Sequence, residues 1–116
     1  MPLQNISKTA FPQLFSNAVN CQLLSLIRSG KENGIHLREL TKITGLSDRV
    51  LRKTIEGLRR SGVVICTDCL HGYFYPDNGE ELRLYILQEE RRGKSTLYTL
   101  STAKSLYRRS QEDLQL

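Results

Sequence analysis

Apolar residues recur at every third or fourth position between Gln13 and Ser29, which is the spacing of one face of a helix. Gly30 is expected to end this helix, and the polar turn KENG follows it. The preceding residues, 1–12, are mixed and polar and include two prolines, so we expect a flexible arm outside the core. The apolar face of the predicted helix consists of Phe15, Val19, Leu23, Leu26 and Ile27.

A second, short helix is predicted from the three-residue spacing of Leu37, Leu40 and Ile43. Gly45 is expected to stop it, because glycine readily ends helices. Just ahead of this helix, residues 35–37 are expected to form a very short strand.

A third helix is predicted to begin after Ser47, whose hydroxyl can accept the free amide hydrogens of the first turn. Asp48 follows, where a carboxylate suits the positive end of the helix dipole. Gly62 is placed to end the helix in a left-handed conformation. The apolar face of the helix falls at positions i, i+4 and i+7, which are Leu51, Ile55 and Leu58.

A small antiparallel hairpin is predicted after the third helix. The β-branched stretch VVICT predicts one strand, DCLHG a turn, and GYFYP a second strand. Tyr73 and Tyr75 alternate with Phe74 and are expected to pack beneath the helices rather than to stack on bases.

The tail that follows is predicted to be helical. Asp77 and Glu80 fit a capping box at its start. Gly93 is expected to break or kink the helix, and a further helix is expected to start at Ser95 or Thr96. The apolar residues of the tail are Leu82, Leu84, Tyr85, Ile86, Leu87, Leu97, Leu100, Ala103, Leu106 and Tyr107.

The positive charge is concentrated in one segment of the chain. The 116 residues carry a net charge of +5. Between Arg28 and Arg60 there are nine Lys or Arg against four Asp or Glu, whereas the rest of the chain has eight of each. All of the excess charge therefore lies between Arg28 and Arg60, mostly on the second and third helices. This pattern is typical of a polyanion-binding surface on a neutral scaffold.

The cellular compartment is suggested by three features. The three cysteines stand at irregular positions and make a poor disulfide framework. The first residues lack the basic region and apolar run of a signal peptide. No apolar stretch approaches the length of a membrane span. We therefore expect a cytoplasmic protein.

The order of the predicted elements, with LRELTKITGLSDRVLRKTIEGLRRSGVVI among them, resembles the winged helix–turn–helix family of bacterial and phage DNA-binding proteins. The resemblance spans about residues 17–76. Gly45 and Leu46 match the family's tight turn. The resemblance implies a mainly α fold with a small β-hairpin wing, and it implies a DNA-binding function. The C-terminal helical tail lies outside the family pattern. The other matches are Ser47 at the helix start, Leu51, Ile55 and Leu58 in the core, and Gly62 with Val63 at the exit into the wing.

The third helix, 47–61, is predicted to read DNA in the major groove. With its apolar face turned inward, its cations face outward, and arginine can bind guanine there through two hydrogen bonds. Methyl groups of valine and threonine can contact thymine. The predicted base-reading residues are Arg49, Val50, Arg52, Lys53 and Thr54. The predicted phosphate contacts, which set the register on the duplex, are Arg38, Lys42, Ser47, Arg59 and Arg60.

Two other interpretations of the basic helix stay open. A cationic helix face is often merely solvated. A winged helix can also contact proteins, with the basic face meeting an acidic partner in a replication or transcription complex. The predicted wing turn, Thr67 to Gly72, contains Asp68 and His71 but no Lys or Arg, so we expect it to add little phosphate contact.

A metal site is not predicted. Cys66 and Cys69 form a C-x-x-C pair with His71 two residues further on, but a zinc site needs about four ligands. The only other ligands of this kind, Cys21 and His36, lie on different predicted elements.

Catalysis and cofactor binding are not predicted either. The GKST at 93–96 lacks the glycine that a phosphate loop needs five residues earlier, where Gln88 stands. Adjacent carboxylates such as Glu89 and Glu90 point in different directions on a helix. We therefore expect a protein that is not an enzyme.

The tail has more apolar residues than a lone surface helix needs. It either folds back over the small core or pairs with a second copy through residues 79–110. The second arrangement would double the DNA site and create two-fold symmetry. The predicted organisation is an arm at 1–12, a winged helix–turn–helix domain at 13–76 and a C-terminal helical extension at 77–116. The predicted function is sequence-specific binding of double-stranded DNA by a small transcriptional regulator, of phage or mobile-element type.

Overall fold

The computed structural model describes residues 3–114, except for the side chain of Leu114. The structure is mainly helical, with a two-stranded antiparallel sheet and a long C-terminal helix. The chain divides into two compact units, with the boundary between Arg83 and Leu84. The elements are α1 (Ala18–Leu26), α2 (Leu37–Thr44), α3 (Asp48–Arg60), β1 (Cys66–Asp68), β2 (Gly72–Phe74) and α4 (Gly79–Leu114), with 3-10 turns at Leu14–Ser16 and Lys31–Asn33.

The first predicted helix is shorter than its apolar pattern indicated. A 3-10 turn comes first, and α1 begins only after Asn17, whose backbone is extended. The Asn17 side chain accepts hydrogen bonds from the amides of Val19 and Asn20, at 2.9 and 3.2 Å. This local capping favours a helix start at Ala18 over a continuous helix from Gln13.

The predicted tight turn between α2 and α3 is confirmed. Gly45 has φ +72°, and its amide donates to the Thr41 carbonyl at 2.9 Å. The Ser47 hydroxyl then accepts from the amide of Val50 at 3.3 Å and caps α3. At the other end of α3, Gly62 has φ +103°, as predicted.

One buried cluster holds α1, α2, α3 and the chain around the hairpin together. Leu51, Ile55 and Leu58 are at most 1% exposed, so the predicted apolar face of α3 is confirmed. Ile43 of α2 is 53% exposed and lies outside the core. The other core residues are Leu23, Leu24, Ile27, Leu40, Val63, Ile65 and Tyr75.

The predicted hairpin is present but shorter. Its ladder runs from Cys66 opposite Phe74 to Asp68 opposite Gly72. The predicted strand at residues 35–37 is reduced to one bridge, in which Ile35 exchanges backbone hydrogen bonds of 3.0 and 2.8 Å with Tyr73.

Tyr75 connects the end of the hairpin to α1. Its hydroxyl donates to the Leu24 carbonyl at 2.7 Å, and its side chain is buried in the core. Its amide donates to the Arg28 carbonyl and its carbonyl accepts from Gly30, both at 2.8 Å. The hairpin residues therefore pack beneath the helices, as predicted.

The N-terminal segment packs on this unit rather than lying outside the core. Ile6 and Phe11 contact the buried cluster. The Gln4 side chain donates to the Val64 carbonyl at 2.7 Å and accepts from its amide at 3.0 Å. Met1 and Pro2, also part of the predicted arm, lie outside the described residues.

The C-terminal helix differs from the prediction at its start and at Gly93. Asn78, not Asp77, caps it by accepting from the amide of Glu81 at 2.9 Å, while Glu81 accepts from the amide of Asp77 at 3.1 Å. The predicted break at Gly93 is wrong, because α4 continues through it. Glycine inside a helix costs only about 1 kcal/mol relative to alanine, so it need not end one. None of the helices among residues 3–114 has the length and apolar character that crossing a bilayer requires.

Candidate nucleic-acid interface

Arg49 and Lys53 lie on the side of α3 that faces away from the core. They are four residues apart, so they stand one above the other on the same helix face. The three buried leucine and isoleucine residues of α3 occupy the opposite side, and both cations are exposed. The core therefore orients these two side chains toward solvent.

The other predicted base-reading residues flank this pair. Arg52 is exposed on one side, and Val50 is 43% exposed on the other. Thr54 is half-buried, and its hydroxyl donates to the Val50 carbonyl at 2.8 Å. Because this hydroxyl is used within the helix, Thr54 offers a ligand its methyl group rather than a hydroxyl donor.

The neighbouring helix α2 adds two cations. Arg38 and Lys42 are four residues apart and exposed, on a helix that packs against α3. We define the basic face as five of the exposed cations of the two helices, leaving out Arg60 because it pairs with Glu56; its members are Arg38, Lys42, Arg49, Arg52 and Lys53.

The basic face is not neutralised by ion pairs within the part of the chain that the structure describes. In residues 3–113, the ion pairs within 4 Å involve Arg60, His71, Arg83 and Arg92. All five cations of the basic face can therefore meet an external anion without first losing an internal partner.

Arg59 does not belong to this face. Its guanidinium is half-buried and donates to the Ile65 carbonyl from Nε at 2.9 Å and from Nη2 at 2.6 Å. It also lies over the ring of Tyr73, 5.9 Å from the centroid. The structure therefore gives Arg59 a packing role, and its contact with a phosphate stays a prediction.

Arg60 and Ser47, two other predicted phosphate contacts, are exposed but already bonded. Arg60 pairs with Glu56 at 2.7 Å. The Ser47 oxygen accepts the capping bond from Val50, which leaves its O–H free to donate to another acceptor.

Glu56 is the one acidic residue on the outward side of α3. It lies three residues after Lys53 and seven after Arg49, so it shares their face. The sequence analysis did not single out this carboxylate, although the same helical period places it there. An acid at this position weakens general attraction to phosphates, and a carboxylate can accept from the amino group of cytosine.

Comparison of the chain with protein-family models, curated proteins and solved structures found no match.

The hairpin turn carries a carboxylate network rather than cations. One carboxylate oxygen of Asp68 accepts from the amides of Leu70 at 3.0 Å and His71 at 2.6 Å, and the His71 ring nitrogen Nδ1 lies 2.9 Å from it. Burial alone would raise the pKa of Asp68, but the hydrogen bonds from His71 and Leu70 and the charge of His71 bring it below its usual value. Leu70 at the tip is 82% exposed. The turn therefore presents an apolar tip and a bonded carboxylate, and its small share in phosphate contact stays a prediction.

The C-x-x-C pair is split between two environments. Cys66 is buried in the hairpin, where burial and the nearby Glu81 carboxylate raise the pKa of its thiol to about 11. Cys69 is exposed. Among residues 3–113, no three His, Cys, Asp or Glu side chains come close enough together to hold a metal ion.

A cavity of about 630 Å³ lies between the N-terminal segment and α1. None of its lining residues is charged, so it does not suit a polyanion. They are Leu3, Gln4, Asn5, Ile6, Phe15, Leu24, Ser25, Ser29, Tyr75 and Pro76.

Proposed function

We propose that this chain is a sequence-specific double-stranded DNA-binding protein, built as a winged helix–turn–helix and acting as a small transcriptional regulator. In this proposal α3 enters the major groove, and α2 lies across the DNA backbone beside that groove. The hairpin is the wing, and it serves mainly to hold the exit of α3.

One observation carries the proposal. Arg49 and Lys53 are exposed on the side of α3 opposite the core, and no carboxylate of the described residues pairs with them. The chain's excess positive charge is confined to residues 28–60, which include both cations. A merely solvated surface does not require such a concentration of one sign.

Base reading is assigned to the N-terminal half of α3, which approaches the bases in this type of motif. Arg49, Arg52 and Lys53 can donate to guanine, and the methyl groups of Val50 and Thr54 can contact thymine. All five are at least partly accessible.

Phosphate contacts are assigned to Arg38 and Lys42 on α2 and to Ser47 and Arg60 at the two ends of α3. These groups fix the register of the protein on the duplex without reading sequence. Arg59 is left out because its guanidinium is bonded to the Ile65 carbonyl. We also propose that the protein acts as a homodimer through α4, which doubles the contacted site.

Selection of bound sequences from random duplexes, followed by a salt titration of the selected duplex, tests the proposal. The three cationic phosphate contacts of each chain, Arg38, Lys42 and Arg60, predict that log Kobs falls with log salt with a slope of about −3 per bound chain. The selected duplex is expected to bind at least about 1,000-fold more tightly than a scrambled one. Equal affinities for the two duplexes would contradict sequence reading.

A winged-helix adaptor that contacts an acidic protein is the second candidate. It is favoured by the hairpin turn, where Leu70 is exposed and no Lys or Arg is present to contact a phosphate. An adaptor would bind duplexes weakly and without sequence preference, so the same titration separates the two candidates.

A further inference from the structure

The C-terminal part of α4 exposes its apolar side chains. Every residue from Glu90 to Asp113 is exposed, and Ile86, Leu100 and Tyr107 are 46%, 44% and 65% exposed. This stretch is also rich in Ser and Thr, which are weak helix formers. Helices in proteins owe most of their stability to the packing of an apolar face. We therefore expect another surface to pack against the exposed apolar residues of this stretch.

One line of residues along α4 has the spacing of a coiled-coil interface. Its members follow each other at alternating intervals of three and four residues, which keeps them on one face of the helix. Bulky and small side chains alternate along its second half. We call this line the seam, and its members are Ile86, Glu89, Gly93, Thr96, Leu100, Ala103, Tyr107 and Ser110.

We propose that the seam is covered by the seam of a second copy of this chain, running antiparallel, with the two-fold axis near residue 98. Each bulky member then faces a smaller or polar one. Leu100 packs against Thr96 of the second copy, and Ile86 against its Ser110. Gly93 faces Ala103, which lets the two helices approach closely. The narrowest layer, Gly93 with Ala103, lies between two layers that each combine a large side chain with a smaller or polar one.

Polar groups also match in this register. Tyr107 faces Glu89 of the second copy, and its O–H can donate to that carboxylate. Beside the seam, Glu90 comes next to Lys104 of the second copy, which gives two opposite-charge pairs by symmetry. The seam is thus complementary to itself in both shape and charge.

A parallel pair lacks these matches. It places Glu89 against Glu89, and like charges at an interface are unfavourable. It also places Gly93 against Gly93, which leaves a gap between the helices, and Tyr107 against Tyr107, where two large side chains would crowd each other. The antiparallel arrangement is therefore favoured.

Cysteine cross-linking of the full chain without DNA tests the arrangement. In a background with Cys21→Ser and Cys69→Ser, we would make Thr96→Cys and Leu100→Cys singly. After oxidation, an equimolar mixture of the two variants is expected to give a disulfide-linked dimer, while each variant alone stays uncrosslinked. Thr102→Cys, off the seam, is the control and should cross-link in neither experiment.

Each other outcome overturns the proposal. Cross-linking of each variant with itself indicates a parallel pair. A single-chain mass by light scattering at about 100 μM, without cross-links, indicates that something other than a second copy covers the seam.

Exchange of the charged pair gives a second test. Glu90→Lys is expected to weaken dimerisation roughly three- to tenfold, and adding Lys104→Glu is expected to restore it.

This inference deepens the dimer of the proposed function, but its test uses no DNA. If the variants do not cross-link but the protein still binds the selected duplex preferentially, only the antiparallel dimer is wrong. If they cross-link as expected but the protein binds all duplexes equally, only the proposed function is wrong.

Discussion

The guanidinium of Arg59 is fixed to the backbone carbonyl of Ile65 by two hydrogen bonds, of 2.9 and 2.6 Å. Ile65 is fully buried and precedes β1, so these bonds tie the end of α3 to the start of the hairpin. The contact of Arg59 with the ring of Tyr73 on β2 adds a second link. Arg59 is therefore one of the side chains that hold the hairpin against α3.

Replacing Arg59 with alanine is expected to destabilise the fold by about 1.5–3 kcal/mol, because a carbonyl loses a charged hydrogen-bond donor. Arg60→Ala removes the same charge from an exposed side chain, and we expect it to change the free energy of unfolding by less than about 0.5 kcal/mol. Urea unfolding of both variants measures the difference. Equal effects would show that Arg59 has no special packing role.

Gly72 allows the Ile35 segment to lie directly on the hairpin. Its φ is +76°, and a Cβ atom there would collide with the Ile35 carbonyl. Gly72→Ala should therefore destabilise the fold by more than about 2 kcal/mol. Gly57→Ala is the matched control. It lies in α3 with nothing within 4 Å of the added carbon, and it should stabilise by up to about 1 kcal/mol. Thermal unfolding of both variants checks these opposite signs, and a neutral Gly72→Ala would refute the close approach.

The two hairpin cysteines should differ in reactivity. At pH 8 the exposed Cys69 is expected to react readily with a maleimide. Cys66 should stay unmodified, because it is buried and its thiol has a pKa of about 11, so that little thiolate is present. Mass spectrometry of digests after timed labelling measures both sites. Unfolding in urea should make Cys66 reactive, and rapid labelling of Cys66 in the folded chain would contradict its placement.

The carboxylate of Glu56 should weaken general attraction to DNA. Glu56→Gln removes a negative charge from the outward side of α3 and releases Arg60 from its ion pair. We expect affinity for an unselected duplex to rise roughly two- to fivefold at low salt. Glu112→Gln, which removes an exposed charge from the end of α4, is the control. Identical binding by the two variants would place Glu56 away from the duplex.

Local chemistry was enough to predict the centre of the fold. The spacing of Leu51, Ile55 and Leu58 fixes which side of α3 is buried. Gly45 and Ser47 mark the turn and the helix start, because a left-handed backbone and a capping hydroxyl each favour few residue types. The outward direction of Arg49 and Lys53 follows from the same period.

Contacts between distant segments could not be predicted in this way. The sequence alone predicts that Arg59 is one more surface cation. Its hydrogen bonds depend on the path of the chain after the end of α3, which the helical period does not determine. The core contacts of Ile6 and Phe11 likewise need the assembled helices. The continuous course of α4 through Gly93 was missed because glycine lowers helix stability without forbidding a helix.

The most direct test of the central claim compares Arg49→Ala with Arg91→Ala on the selected duplex and on a scrambled one. Both substitutions remove one exposed arginine, but Arg91 lies on α4. If α3 reads bases, Arg49→Ala should lower affinity for the selected duplex by about 10- to 100-fold and narrow the gap to the scrambled duplex. Arg91→Ala should leave the ratio of the two affinities unchanged. Equal small losses on both duplexes for Arg49→Ala would contradict base reading by the outward face of α3.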